Sequence, residues 1–214
     1  MNLSRVIVLL LILLIGVGYV SWHVWQLLPM TATGKWVVTG ALLLCLVCFF
    51  TNFIFGLDDK PMSVAVALYE LGNSSLFIGF YLLLFFLVLD LGRLFHLVPR
   101  SFLYNSWIGT VSVIVIMTGL FVYGYFNYLH KERVPMVLNS DKPFHQPHRL
   151  VMMSDLHLGY HNRADEFRKW VDMINEEKPE VILIAGDIID RSIRALIEQD
   201  MASEFHRLKA LRLL

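Results

Sequence analysis

Arg149-Leu150-Val151-Met152-Met153-Ser154-Asp155-Leu156-His157-Leu158-Gly159 and, further on, Val181-Ile182-Leu183-Ile184-Ala185-Gly186-Asp187-Ile188-Ile189-Asp190 decide the fold of the C-terminal part of the chain. Each is an apolar β-like run, 149–154 and 181–185, that delivers a carboxylate at its C-terminal end. Between them Phe167, Trp170, Val171 and Ile174 fall at i, i+3, i+4 and i+7 of a helix, with Asp165 and Glu166 in its first turn. Asn162 is placed to cap that helix and Pro179 to end it. Strand, helix, strand at this spacing is a βαβ unit, whose strands run parallel and end at one sheet edge. Neighbouring strands lie about 4.8 Å apart, so Asp155, His157 and Asp187 can converge just outside that edge, where open α/β sheets bind ligands. In an extended chain Asp155 and His157 project to the same face. Two carboxylates and an imidazole suit Mn, Fe or Zn. Gly186, without a Cβ, allows a sharp turn beside a bound metal or phosphate. The plainer alternative makes Asp155 and Asp187 turn-capping carboxylates and His157 a surface residue.

The pair Asp155-x-His157 and Gly186-Asp187-x-x-Asp190, each following a strand, resembles the opening motifs of the calcineurin-like metallophosphoesterase family. The resemblance covers residues 149 to 210. It implies that Asp155 and His157 bind one ion and that Asp187 bridges the two ions of a dinuclear centre. Asp190, with Gly186, would support the site from outside the ring of donors; a helix-start residue beside Arg191 is the equal alternative for Asp190. His161 reads as an ordinary loop histidine. Two divalent ions in such a family site (Mn, Fe or Zn) hold a phosphate and support its in-line hydrolysis.

The same family completes its site with a Gly-Asn-His-Asp/Glu motif, a further His and a Gly-His-x-His motif, and none follows Asp190 in these 214 residues. The catalytic general acid is therefore not identified, and the ligands at hand suffice for at most one weakly held ion. Residues 192–213 read as a single helix with Leu196, Ile197, Phe205, Leu208 and Leu211 as apolar positions. The expectation is an incomplete α/β metallophosphoesterase sandwich, C-terminally truncated and inactive by itself. The alternatives are an inert truncated product, or a lipid-binding or sensory bundle carrying a vestigial phosphoesterase remnant.

Composition accounts for the remainder. The chain is 57% hydrophobic with a mean hydropathy of +0.60 and only 17% charged residues, against about 25% charged in soluble domains. Residues 1–130 read as a four-helix transmembrane domain with spans at 6–28, 36–57, 72–98 and 107–129, each reaching the roughly 20 residues that cross a hydrocarbon core. Trp22, Trp25, Trp36, Tyr104, Trp107, Tyr123, Tyr125 and Tyr128 sit near their ends as an aromatic belt. The first span is read as an uncleaved helix rather than a signal peptide, since no small-x-small site interrupts it. Asp90 and Arg93 form an ion pair near the end of the third span. Cys45 and Cys48 fall within the second and imply no disulfide.

Four spans place Arg5, Lys60, Lys131 and Arg133 on one side against Lys35, Arg93 and Arg100 on the other, which favours a cytoplasmic C-terminal region by one charge. Residues 131–148, with Pro135, Pro143 and Pro147, read as a linker in which 134–138 form a first strand of the catalytic domain; 149–214 begin that domain. Zero formal net charge argues against a nucleic-acid partner. The partners expected are the bilayer, in the plasma membrane, and a lipid or lipid-linked phosphoester as substrate. The whole reads as a membrane-anchored, metal-dependent phosphoesterase acting on a phosphomonoester or phosphodiester.

Overall fold

The structure, a computed structural model, describes residues 3–139, 141, 147–210 and 212–213. It divides into two units, one formed by 1–53 with 71–135, the other by 54–70 with 136–214.

The first unit is helical. Its elements are α1 (Leu3–Leu27), α2 (Ala32–Phe55), α3 (Met62–Leu94), the short α4 (Arg100–Leu103) and α5 (Trp107–Leu129), of which α2 and α3 also extend into the second unit's residues. Three of them, α2, α3 and α5, with 24, 33 and 23 residues, are long and apolar enough to cross a membrane. The first expected span corresponds to α1, whose apolar stretch among the described residues is the shorter Leu11–Leu27. The third expected span starts earlier than Gly72, because the helix already begins at Met62. Val20, Val24, Leu27, Leu28, Leu82, Phe86, Leu103 and Val113 form the unit's core. Apolar side chains such as Leu44, Val88, Ile108 and Val115 face outward instead, which a hydrocarbon environment tolerates and water does not. Polar side chains in these helices bond to nearby carbonyls: Thr39 Oγ1 donates to Lys35 O at 2.8 Å and Ser75 Oγ to Cys45 O at 3.0 Å. The expected Asp90–Arg93 pair is present at 3.5 Å and is joined by two further groups, the Tyr19 hydroxyl at 2.7 Å and His23 Nε2 at 3.0 Å from Asp90. Cys45 and Cys48 lie in α2, and neither is in a disulfide among the described residues.

The second unit carries a parallel sheet in the order β1 (Leu150–Ser154), β2 (Val181–Ala185), β3 (Arg212–Leu213). Leu150 pairs with Val181 and Ser154 with Ala185, so β1 and β2 end level. The crossover helix α6 (Ala164–Glu176) buries Phe167, Val171 and Ile174 as its 3.6-residue pattern requires. Leu156, Leu158 and Met201 complete the core with Phe167 and Val171.

Three expectations need correction. Asn162 does not cap α6; Arg163 occupies the N-cap without a side-chain bond, and the Asn162 amide donates instead to Leu156 O at 2.9 Å. The single helix expected over 192–213 is two short ones, α7 (Arg194–Glu198) and α8 (Met201–His206), followed by β3. The break comes where Gln199 Nε2 donates to Gly159 O and its Oε1 accepts from Ala164 N, both at 3.2 Å, and Asp200 turns into the left-handed region at φ 48°. Leu196, Phe205 and Leu208 still pack on the core, whereas Ile197 is exposed and Leu211 lies outside the described residues. Finally, residues 134–138 form no strand. Val134, Met136, Val137 and Leu138 stand exposed, and Pro135 supplies no N–H to a ladder. Pro143 lies outside the described residues.

Candidate metal centre

The two parallel strands stop side by side, and the residue after β1 is Asp155 while the second after β2 is Asp187. The chain does not stay extended there. Asp155, His157 and Asp187 all take left-handed backbone angles, φ 54°, 42° and 41°, and Gly186 has φ 75°. Asp and His tolerate this region better than most residues, and such angles persist where the surroundings over-determine them, commonly at functional sites. The extended-chain argument for a shared face is thus replaced by a coiled one with the same result.

Main-chain bonds lock the two loops together. His157 N donates to Asp187 O at 2.9 Å, Leu158 N to Ile188 O at 2.8 Å and Asp190 N to Leu158 O at 2.9 Å. Leu156 and Leu158 point into the core, at 4% and 0% exposure, while Asp155, His157 and Asp187 are exposed. The alternation of apolar and ligand-type residues in Asp-Leu-His-Leu therefore separates anchor from site. One ligand atom from each of Asp155, His157 and Asp187 lies within 4.8 Å of the others. An ion held at about 2.0–2.2 Å from N and O donors needs those donors roughly 3 to 4 Å apart, so small side-chain rotations fit the three around one ion.

Asp190 stands outside this trio. Its carboxylate accepts from the Tyr69 hydroxyl, and its backbone faces Gly159, where an added Cβ would sit 3.2 Å from Asp190 O. His161 faces Glu70, with Nδ1 2.7 Å from Oε1. The Tyr69 and Glu70 contacts were not legible in sequence, since nothing in the pattern of residues 54–70 points to a region about a hundred positions away.

The segment that carries these residues is similar to known proteins. Residues 148–213 match the family model of calcineurin-like phosphoesterases. A transmembrane protein with metallophosphoesterase domain from Danio rerio is 28% identical over 175 residues, covering 75% of this chain and 38% of that protein. An uncharacterized metallophosphoesterase of Bacillus subtilis (strain 168), YkuE, is 33% identical over 73 residues, 32% of this chain and 26% of the relative. The chain thus spans well under half the length of either relative. No solved structure matches it significantly. The chain accordingly carries three helices long and apolar enough to cross a membrane, and its residues 148–213 match the calcineurin-like phosphoesterase model.

Proposed function

We propose that this protein is a membrane-anchored metallophosphoesterase in which Asp155, His157 and Asp187 hold a divalent ion. The observation that carries the proposal is their convergence within 4.8 Å at the common end of two parallel strands. The mixed carboxylate and imidazole donor set favours Mn, Fe or Zn. A divalent ion bound there supplies Lewis acidity toward a phosphoryl oxygen and eases deprotonation of water.

The finer reading follows the same logic. Asp155 and His157 serve one ion, and Asp187, reaching in from the neighbouring strand, bridges to a second. Gly186 makes room for the turn, and Asp190 braces it. In the membrane part α1 joins α2, α3 and α5 as a fourth span, in the plasma membrane, with Lys60, Lys131 and the phosphoesterase segment on the cytoplasmic side. A substrate embedded in or tethered to the bilayer, a lipid or lipid-linked phosphoester, suits a site tied to such an anchor, and the balanced net charge gives no pull toward nucleic acid. The test is metal-dependent hydrolysis of an aryl phosphodiester and an aryl phosphomonoester by a version extended to the length of the relatives. Activity lost in Asp187→Ala supports the reading; equal activity in Asp187→Ala and the parent removes these residues from the site.

A further inference from the structure

Residues 56–61 join α2 to α3, and with Met62–Glu70 of α3 they belong to the second unit. Within that unit they are seated on the loops that carry the motif residues. Tyr69 Oη donates to Asp190 Oδ2, and the Tyr69 ring lies 5.7 Å from that of Tyr160. Tyr160 Oη in turn donates to Asp58 Oδ1 at 2.8 Å. Arg194 Nη1 donates to Leu57 O at 3.2 Å and to Asp58 O. Beneath these polar contacts Leu57, Ala65, Tyr160 and Ala195 are buried as one cluster.

We propose that Tyr69 is a positioning residue for the metal centre: its hydroxyl holds the Asp190 carboxylate and thereby fixes the Gly186–Asp190 loop, with Asp187 facing Asp155 and His157. This rests on the metal-binding reading of that trio. Asp190 is held from three directions, by Leu158 O through its N–H, by Gly159 against its backbone and by Tyr69 through its carboxylate. The first two contacts come from the Asp-x-His loop itself and Ser192 N bonds the Asp190 carbonyl oxygen from the next turn, whereas Tyr69 reaches the Asp190 carboxylate from a distant helix. Asp187 sits three positions upstream with its backbone in the left-handed region, a conformation that relaxes unless neighbours restrain it. A residue at the start of an apolar helix therefore takes part in shaping the hydrolase site.

The experiment uses the full chain in detergent with Mn2+ as the probe, comparing the parent with Tyr69→Phe, which keeps the ring against Tyr160 and deletes only the hydroxyl. Because the hydroxyl acts on the metal only through the loop, its removal should weaken Mn2+ binding about 5- to 10-fold, less than the full loss of a hydrogen bond to a charged group. Asp190→Ala should give a similar loss, and the double variant little more than either single one, because both remove the same link. Val171→Ala, in the core of the same unit, should lower the unfolding midpoint while leaving Mn2+ affinity within about twofold, which separates positioning from general stability. In the metal-free chain the amides of 186–190 should exchange faster in Tyr69→Phe than in the parent. Unchanged affinity and exchange in Tyr69→Phe, with Asp187-dependent binding in the parent, overturns the role of Tyr69 and leaves the metal centre standing. No Asp187-dependent Mn2+ binding in the parent overturns both.

Discussion

The backbone N–H of His157 donates to the carbonyl oxygen of Asp187 at 2.9 Å. Two ligand-type residues from different strands are thus joined by main chain, independently of their side chains. The site's frame should therefore survive removal of any one donor group. Asp155→Ala, His157→Ala and Asp187→Ala are each expected to lower bound metal while far-ultraviolet circular dichroism stays unchanged. On the proposed reading, in which Asp187 is shared by two ions, Asp187→Ala should lose the most. Metal stoichiometry by mass spectrometry checks this, and three variants with the parent's metal content would return the trio to turn-capping roles.

The two glycines of the motifs should fail in different ways. Gly186 has φ 75° and open space around an added Cβ, so Gly186→Ala meets no clash but carries the strain of a left-handed residue, about 1–2 kcal/mol. At Gly159 a Cβ would lie 3.2 Å from Asp190 O and 3.3 Å from Asp190 Cβ, so Gly159→Ala must push Asp190 away. Urea unfolding should show the larger loss of stability in Gly186→Ala. Amide exchange at 188–190 should show the larger local change in Gly159→Ala. The reverse order would mean that the loops adjust in a way these contacts do not allow for.

How far the sequence could be read depended on whether a feature was written locally. β1, β2 and α6 were legible because their apolar periods are complete within each segment, and the position of Asp155, His157 and Asp187 followed from where the strands stop. The left-handed angles at those residues were not, because they are imposed by bonds between loops about thirty residues apart. The same holds for the break between α7 and α8. Leu196, Ile197, Phe205 and Leu208 look like one helical stripe, yet Gln199 is drawn to Gly159 and Ala164, and the helix ends there. The docking of Tyr69 and Asp58 had no local signature at all.

Acid should loosen the second unit through Glu204. This residue is only 4% exposed, and Arg168 Nε donates to it at 2.9 Å while Arg207 Nη1 bonds its other oxygen. The hydrogen bonds from Arg207 and Arg168 hold its carboxyl below the usual glutamate range. A folded-state pKa lower than the unfolded value of about 4.3 gives stabilisation that is complete at neutral pH. It fades as pH drops below the unfolded value and is gone once the folded value has been passed. The urea midpoint of the parent should thus fall as pH drops below about 5, and Glu204→Gln, already lower at pH 7, should show a flatter decline. Parallel declines in the two proteins would place the acid sensitivity elsewhere.

The order of the helices makes a topological prediction that two sets of contacts support separately. Asn105 N donates to Gln26 O at 2.8 Å, Ser106 N to Leu27 O at 3.0 Å, and Lys35 Nζ to Asn105 Oδ1 at 2.7 Å. The ends of α1 and the starts of α2 and α5 therefore share one end of the helical bundle. Residues 56–61, between α2 and α3, instead belong with the phosphoesterase segment through Asp58, Tyr160 and Arg194. If α2, α3 and α5 each cross the bilayer, Asp59 and Lys178 must be on one side and Thr33 on the other. After replacement of Cys45 and Cys48 by Ser, single cysteines at these three exposed positions can be labelled with an impermeant thiol reagent in sealed vesicles. Asp59→Cys and Lys178→Cys should label together from one face, and Thr33→Cys only from the opposite one. Labelling of Asp59→Cys and Lys178→Cys from opposite faces would show that an odd number of crossings separates them, which α3 and α5 together cannot provide.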